Sequence, residues 1–416
     1  MATKSGKLKK RDSCDIAVVG GGPAGALTAI HLARAGFSVV VFEREKKAVQ
    51  KVYGEFLGAE CLPLLREVGV DPIALGGVEI TSFRLHGPRQ TVETKLPKRA
   101  VGLTRIELTK AMIEVAVDAG VDVRLGVAVD EIVEGLDSPS GSILISTSEG
   151  ETRAQRLVLA TGNVDFKSAN DRVGRDEDYI GFQMHLRLKP STAALIKKSW
   201  DLFVFDYGYG CISPIEGGLA NFCFIIKRSV VQTLGDDWDA LTSHIGASCW
   251  SASHYLDGAE PQAKQFTRLD HLPLGFLRRD PPPAGMFFVG DQMAVIPAMT
   301  GDELSISLAT ARSAADAIIE DVGGSKRLRF AQEASRGYQR AMRKMLRLQL
   351  DAAFAVHQLF KKPGLVDMTT YAIKAFPGVF NKVYKTTRPR ILTAKERASL
   401  TSRRGPALRT SAPSRG

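Results

Sequence analysis

Apolar positions along the chain fall into two periods, and the switches between them mark the elements. Residues 16–19 are unbroken apolar, as in a strand covered on both faces. A run of small and apolar residues follows, closed by Gly36 as a left-handed helix stop, and a second apolar run covers 38–42. The order reads strand, helix, strand. Residues 59–68 have helical spacing, and 78–97 alternate through Val78, Ile80, Phe83 and Leu85 as a hairpin would. A helix is predicted from about 101 to 119, then strands at 121–125, 127–133, 142–147 and 156–162. From 165 to 279 aromatics become more frequent, with strand-like stretches at 180–188, 202–205, 211–215 and 220–227 and helical runs at 191–198 and 230–249. Pro281–Pro283 lead to a strand at 286–289 and a long small-residue helix at 305–322. Beyond Gly323 the pattern is helical and basic. Met342, Met345, Leu346, Leu350 and Ala353 share one face, and Arg340, Arg343, Lys344 and Arg347 another.

Strands alternating with helices and followed by a strand-rich block predict an α/β fold: a Rossmann-like, parallel-sheet domain over 12–165 and 280–322. A hairpin would be inserted at about 78–97, a sheet-based substrate domain at 166–279, and a helical extension at 323–384. The 416 residues suffice for two domains or one elaborated one. The net charge of +11 sits mostly at the ends. Residues 1–11 carry five Lys/Arg and no acid, residues 385–416 nine and one acid, so the body is near neutral. Both ends read as basic, disordered tails. A membrane surface is a candidate partner for the tail and the basic helix, and no nucleic-acid motif accompanies them. Five widely spaced cysteines without a C-x-x-C suit reduced thiols in a cytoplasmic protein, and no metal site is expected. No apolar run reads as a membrane span.

The richest stretch is Asp15-Ile-Ala-Val-Val-Gly20-Gly21-Gly22-Pro23-Ala24-Gly25, with Glu43 and Arg44 closing the next apolar run. Gly20 makes the tight turn, Gly22 lets amides approach a pyrophosphate, and Gly25 lets helix and strand pack closely. Phosphates would sit on the helix N-terminus, and Glu43 would accept from a ribose. The acid behind strand, glycines, helix and strand makes this a dinucleotide site rather than an ordinary turn. Three further pieces follow: Arg105 at a helix start, the turn Ala160-Thr161-Gly162, and Gly290-Asp291 with Pro297 and Gly301 downstream.

Together, in this order, the pieces resemble the FAD-dependent oxidoreductases of the para-hydroxybenzoate hydroxylase superfamily. Lys51-x-x-Gly54-Glu55-Phe56-Leu57, Gly181-Phe-Gln-Met-His185 and the late Gly-Asp resemble its geranylgeranyl-reductase-like branch. The resemblance covers about 13–322. It implies FAD, with Gly20, Gly22, Pro23, Ala24, Gly25, Glu43 and Arg44 at the ADP half and Val129 near adenine. Arg105, Ala160 and Gly162 would lie along the middle, Asp291 on the ribityl chain, and Pro297 and Gly301 facing the isoalloxazine. Three positions depart from the pattern. Glu303 replaces a glycine, and a capping box from Thr300 to Glu303 would turn that carboxylate toward the backbone. Thr161-Gly162 stands where many monooxygenases carry Asp-Gly, and Tyr53 where relatives carry a small residue. His185 and Tyr209 are the candidate catalytic side chains, with Tyr207 and Glu55 nearby in the pattern, although a flavin performs much of such chemistry itself. The expected function is a reductase or dehydrogenase for a hydrophobic isoprenoid-, polyketide- or lipid-like substrate, with NADPH or NADH as donor. A monooxygenase using NAD(P)H and O2, a halogenase (without a W-x-W-x-I-P run) and a non-catalytic flavin-binding module are the alternatives.

Overall fold

The structure, a computed structural model, describes residues 11–135, 142–166, 171–324 and 331–389. Most of both expected tails lies outside them.

Two sheets organise the chain. The first runs, by strand, Asp122–Leu125, Val39–Glu43, Arg11–Val19, Gly150–Leu159, Ile143–Thr147, Val129–Glu134, with Met286–Phe288 also paired to Gly150–Leu159. The pairs among the first four strands are parallel, and so is the pairing of Met286–Phe288. Ile16, Ala17 and Val18 are fully buried, as expected for a strand covered on both faces. Helices Pro23–Arg34, Arg105–Asp118 and Glu303–Gly324 supply the covering layers, and Leu27, Ile30, Leu108, Leu308 and Ile318 join the strands in one core.

The second sheet has nine strands, among them Tyr179–Arg187, Ala220–Lys227, Gly208–Pro214, Ser199–Phe205, Val78–His86 and Thr91–Gly102 in that spatial order. The expected hairpin at 78–97 therefore belongs to this sheet. Its first strand pairs in parallel with Ser199–Phe205, through Ser199↔Ser82 to Phe203↔His86. Local alternation announces a hairpin but not its distant partner. One face of this sheet packs Phe182, Phe203, Phe222 and Phe224 against helices Trp238–Ser248 and Trp250–Leu256. The other places Trp200, Leu202, Val204, Tyr209 and Ile225 in a cluster with Phe56, Val295 and Met299.

The helix expected at 230–249 is instead three short ones, Arg228–Leu234, Trp238–Ser248 and Trp250–Leu256. Gly235 takes φ +84, Asp237 caps the second helix by accepting from the Ala240 N–H at 3.0 Å, and Cys249 is extended. Past the mixed core, helix Ala331–Phe360 buries Tyr338, Met342, Leu346, Leu350 and Ala353, so the apolar face read from the sequence is the packed one. Helices Pro363–Ala375 and Pro377–Thr387 follow. Arg388, placed by composition in the tail, is buried and pairs with Asp302. No helix among the described residues is long and apolar enough to cross a membrane.

Candidate cofactor and active site

The parallel strands end at Val19, Glu43, Leu159 and Phe288, and their carboxyl ends open onto one cleft of about 720 Å³. Its geometry starts from glycines. Gly20 holds φ +106, and a Cβ there would meet the Ala160 carbonyl oxygen at 2.4 Å. A Cβ at Gly25 would lie 1.9 Å from the Gly20 carbonyl oxygen, so the helix lies on the turn at a separation that only glycine permits. Gly22 is the opposite case: its φ of −66 and ψ of 175 suit any residue, and a Cβ would meet nothing within 4 Å. That open space lies at the start of helix Pro23–Arg34, which no side chain caps. Its first amides are left to a ligand, on the positive end of the helix dipole.

Around this cradle the cleft is lined by Pro23, Ala24, Glu43, Arg44, Arg105 and Val129, and farther along by Ala160, Gly162 and Asp291. Glu43 Oε2 accepts from the Gly21 N–H at 2.7 Å and Oε1 from the Glu45 N–H at 3.0 Å, which pins the turn to the next strand. A carboxylate so held keeps lone pairs for ribose hydroxyls. Arg44 contacts Glu45 at 3.3 Å. Val129 opens the strand paired to Thr147. Gly162, at φ +62, has its carbonyl tied to Gln292 Nε2 at 2.9 Å, which joins the turn after Leu159 to the Gly290–Gln292 turn.

Arg105 opens a helix whose cap is Thr104, accepting from the Glu107 N–H at 3.3 Å. Glu55 Oε1 accepts from the Arg105 N–H at 3.1 Å and from Gln50 Nε2 at 2.6 Å. The guanidinium passes Gly54 (φ +85), where a Cβ would sit 2.6 Å from Nη1, and it makes no hydrogen bond or ion pair among the described residues. Burial pulls it down from its ordinary value, against the upward pull of Asp291, Glu55 and Glu303. Asp291 is half-buried and has no hydrogen-bond partner among the described residues. Burial pushes its carboxyl up, opposed by Arg172 and Arg105. An amide-rich helix start, a cation and a carboxylate stand along one cleft without partners of their own. They fit the diphosphate, middle and polyol of an FAD.

Residues 13–163 match the family described as FAD binding domain. The chain carries an FAD-binding domain. FAD is its cofactor. A flavin-dependent halogenase of Armillaria mellea, armH1, is 29% identical over 49% of this chain, and the match spans 38% of that protein's length. Menaquinone reductase of Mycobacterium tuberculosis is 24% identical over 73% of this chain and 76% of its own length. Among solved structures, the flavin-dependent brominase Bmp2 superposes with a TM-score of 0.74 at 17% identity, covering 93% of this chain and 97% of that one. PqsL, a probable FAD-dependent monooxygenase from Pseudomonas aeruginosa, gives a TM-score of 0.69 at 17% identity, over 89% and 100%. At such identities these two establish the fold, α/β with an added sheet domain and C-terminal helices.

Of the other residues singled out from the sequence, Tyr53, Thr161 and Glu303 line the cleft, and Gly25, Pro297, Gly301, His185, Tyr209 and Tyr207 lie away from it. Gly25 serves packing. Pro297 is buried and precedes the short turn Ala298–Thr300. Gly301, at φ +63, closes against the Phe56 ring, which a Cβ would meet at 2.7 Å. His185 Nε2 lies 2.8 Å from Glu55 Oε2, and the Tyr209 hydroxyl lies 3.1 Å from His357 Nδ1, so each has a protein partner and neither reaches the cleft lining. Tyr207 is exposed at φ +65 and stacks on His244. The capping box does not form: the Thr300 hydroxyl donates to the Pro297 carbonyl at 3.2 Å, and Glu303 Oε1 has no hydrogen-bond partner. Glu303 lines the cleft at the first turn of its helix, where burial, with Asp302, Cys211 and Asp291 alongside, holds its carboxyl well above the usual range. Sequence reading missed Arg172, which lines the cleft with Nε on Asp165 at 2.6 Å and Nη2 on the Asn163 carbonyl at 2.7 Å. No motif marks a single arginine whose partners are one carboxylate and one backbone carbonyl.

Proposed function

We propose that the protein is an FAD-dependent reductase or dehydrogenase acting on a hydrophobic isoprenoid-, polyketide- or lipid-like substrate, of the geranylgeranyl-reductase-like branch. The observation that carries this reading is the wall of the second sheet that faces the cofactor domain. Trp200, Leu202, Val204, Tyr209 and Ile225 meet Phe56, Val295 and Met299, and Val295 also lines the cleft. With Val52, Tyr53, Leu269, Leu272 and Ile296 also on the cleft lining, this side favours an extended apolar substrate over a polar one. The long alignment with menaquinone reductase, over about three quarters of both chains, supports it too.

Bound FAD would supply the two-electron chemistry. The chain's own residues bind and orient. The Gly20–Gly25 loop takes the diphosphate, Glu43 the ribose, Asp291 the ribityl hydroxyls, and Arg105 faces the middle of the cofactor. The apolar wall excludes water. Glu55 holds His185 and the Arg105 helix together, a positioning role. Glu303, whose carboxyl burial holds well above its usual range, lines the cleft and would stand beside the bound cofactor.

A second reading, halogenase or monooxygenase, draws on the halogenase relative and the brominase-like fold. One experiment separates them. The flavoprotein is bleached anaerobically with NADPH or NADH, then offered a polyprenyl quinone or an unsaturated isoprenoid lipid. Reoxidation with one reduced product per flavin, without O2, supports the reductase. Flavin reoxidised only by O2, with oxygen or halide appearing in the product, refutes it.

A further inference from the structure

We propose that helices Pro363–Ala375 and Pro377–Thr387 form a docking surface for an anionic lipid bilayer, lying in the interface rather than crossing it. In the first helix Val366, Thr370 and Ile373 turn inward. The opposite side carries Leu365, Met368 and Tyr371, the last two about two-thirds exposed (67% and 65%). This helix is therefore apolar on both its packed and its outward faces, a pattern that water does not tolerate on a surface helix. Phe376, 69% exposed in the link between the helices, extends the strip, and Val379 and Val383 continue it. Of the sixteen large apolar side chains exposed among the described residues, six fall between Leu365 and Val383.

The charges choose the occupant. Lys362, Lys374, Lys382 and Lys385 are exposed around the strip, while Lys361 donates to Asp176 at 2.8 Å, and Asp367, the one acid between residues 361 and 388, is half-buried and accepts from the Arg89 N–H at 3.1 Å. A ring of lysines around protruding Met, Tyr, Phe and Leu complements anionic headgroups over an acyl layer. A second copy of the same strip would bring four lysines against four.

The surface is joined to the segment that precedes cleft-lining Glu303. On the inner side of the second helix, Phe380 stacks on Phe83 at 4.8 Å between centroids, and Arg388 just past it pairs with Asp302 before helix Glu303–Gly324. Direct entry of substrate from the bilayer rests on the lipid-like substrate proposed above. Docking itself does not.

The test is co-sedimentation of the full flavoprotein with vesicles of phosphatidylcholine alone or with phosphatidylglycerol, with no substrate present. The expected result is binding to the anionic vesicles, weaker in high salt and on phosphatidylcholine alone. Met368→Glu with Phe376→Glu should reduce it about tenfold or more, with melting temperature and bound FAD unchanged. A chain ending at residue 389 should retain binding. Equal binding by the double variant, binding lost with the tail alone, no binding by the parent protein, or a dimer abolished by the double variant in place of vesicle binding would each overturn the proposal. A protein that docks but fails to reduce lipid-like substrates would overturn the substrate reading and leave docking standing.

Discussion

Replacing Gly22 by valine separates cofactor binding from folding more sharply than any other change in the cleft. The backbone there is extended, with φ −66 and ψ 175, which valine adopts readily. A Cβ would touch nothing within 4 Å, so the apoprotein gains no clash. Valine is a poorer helix cap than glycine, which costs about 1 kcal/mol or less. The same space is where a diphosphate must come against the uncapped helix start. Losing about two charge-assisted hydrogen bonds at roughly 1.5–3 kcal/mol each removes about 3–6 kcal/mol of binding. At 1.4 kcal/mol per decade, the FAD Kd should rise about 10²- to 10⁴-fold. The assay is titration of apoprotein with FAD, followed by quenching of flavin fluorescence, beside a thermal melt of the apoprotein. A Kd within about threefold of the parent protein would refute the placement of the diphosphate.

Gly25→Ala should do the reverse, since its Cβ would overlap the Gly20 carbonyl oxygen at 1.9 Å. The apoprotein should lose about 1–3 kcal/mol or more in denaturant unfolding, as overpacked cores do. Arg156 and Asp321, buried and 2.5 Å apart, tie strand Gly150–Leu159 to helix Glu303–Gly324, so Asp321→Ala should cost about 3–5 kcal/mol in the same measurement. Burial raises Glu303 above its ordinary 4.5. The folded state therefore holds a proton that the unfolded state releases, and that contribution is complete below pH 4.5 and is lost as pH rises through the folded value. Apoprotein stability should fall with rising pH over that window, and Glu303→Gln should flatten the fall, with Asp291 contributing the same sign in both proteins. An identical slope in the variant would refute it. Arg388→Ala leaves Asp302 buried without its cation. Melting temperature should drop and FAD should dissociate more readily, and an unchanged dissociation rate would show that the ion pair does not steady the site.

What could be read from the chain was local. The opening βαβ unit is written in contiguous residues, because turn, close packing and ribose acceptor each demand a particular residue type within thirty positions. The Gly290-Asp291 turn is legible for the same reason. Illegible features depend on distant partners. Glu55 and His185 are joined by a 2.8 Å contact across 130 residues, and Arg388 looks like tail composition until Asp302 is beside it. The Thr300–Glu303 spacing suggested a cap, but the helix begins at Glu303 itself, so its side chain has no turn to reach back over. The run at 230–249 failed for a local reason, the left-handed Gly235 beside a capping Asp237.

Strand Val78–His86, in parallel register with Ser199–Phe205, makes the two halves of the chain inseparable during synthesis. The hairpin leaves the ribosome more than a hundred residues before the strand that covers its edge, so a nascent chain of this length carries an open, sticky rim. Residues 166–279 produced alone would lack that neighbour at the Ser199–Phe205 edge and should self-associate. Any shortened form of this protein therefore has to keep residues 78–102 with the strands they complete.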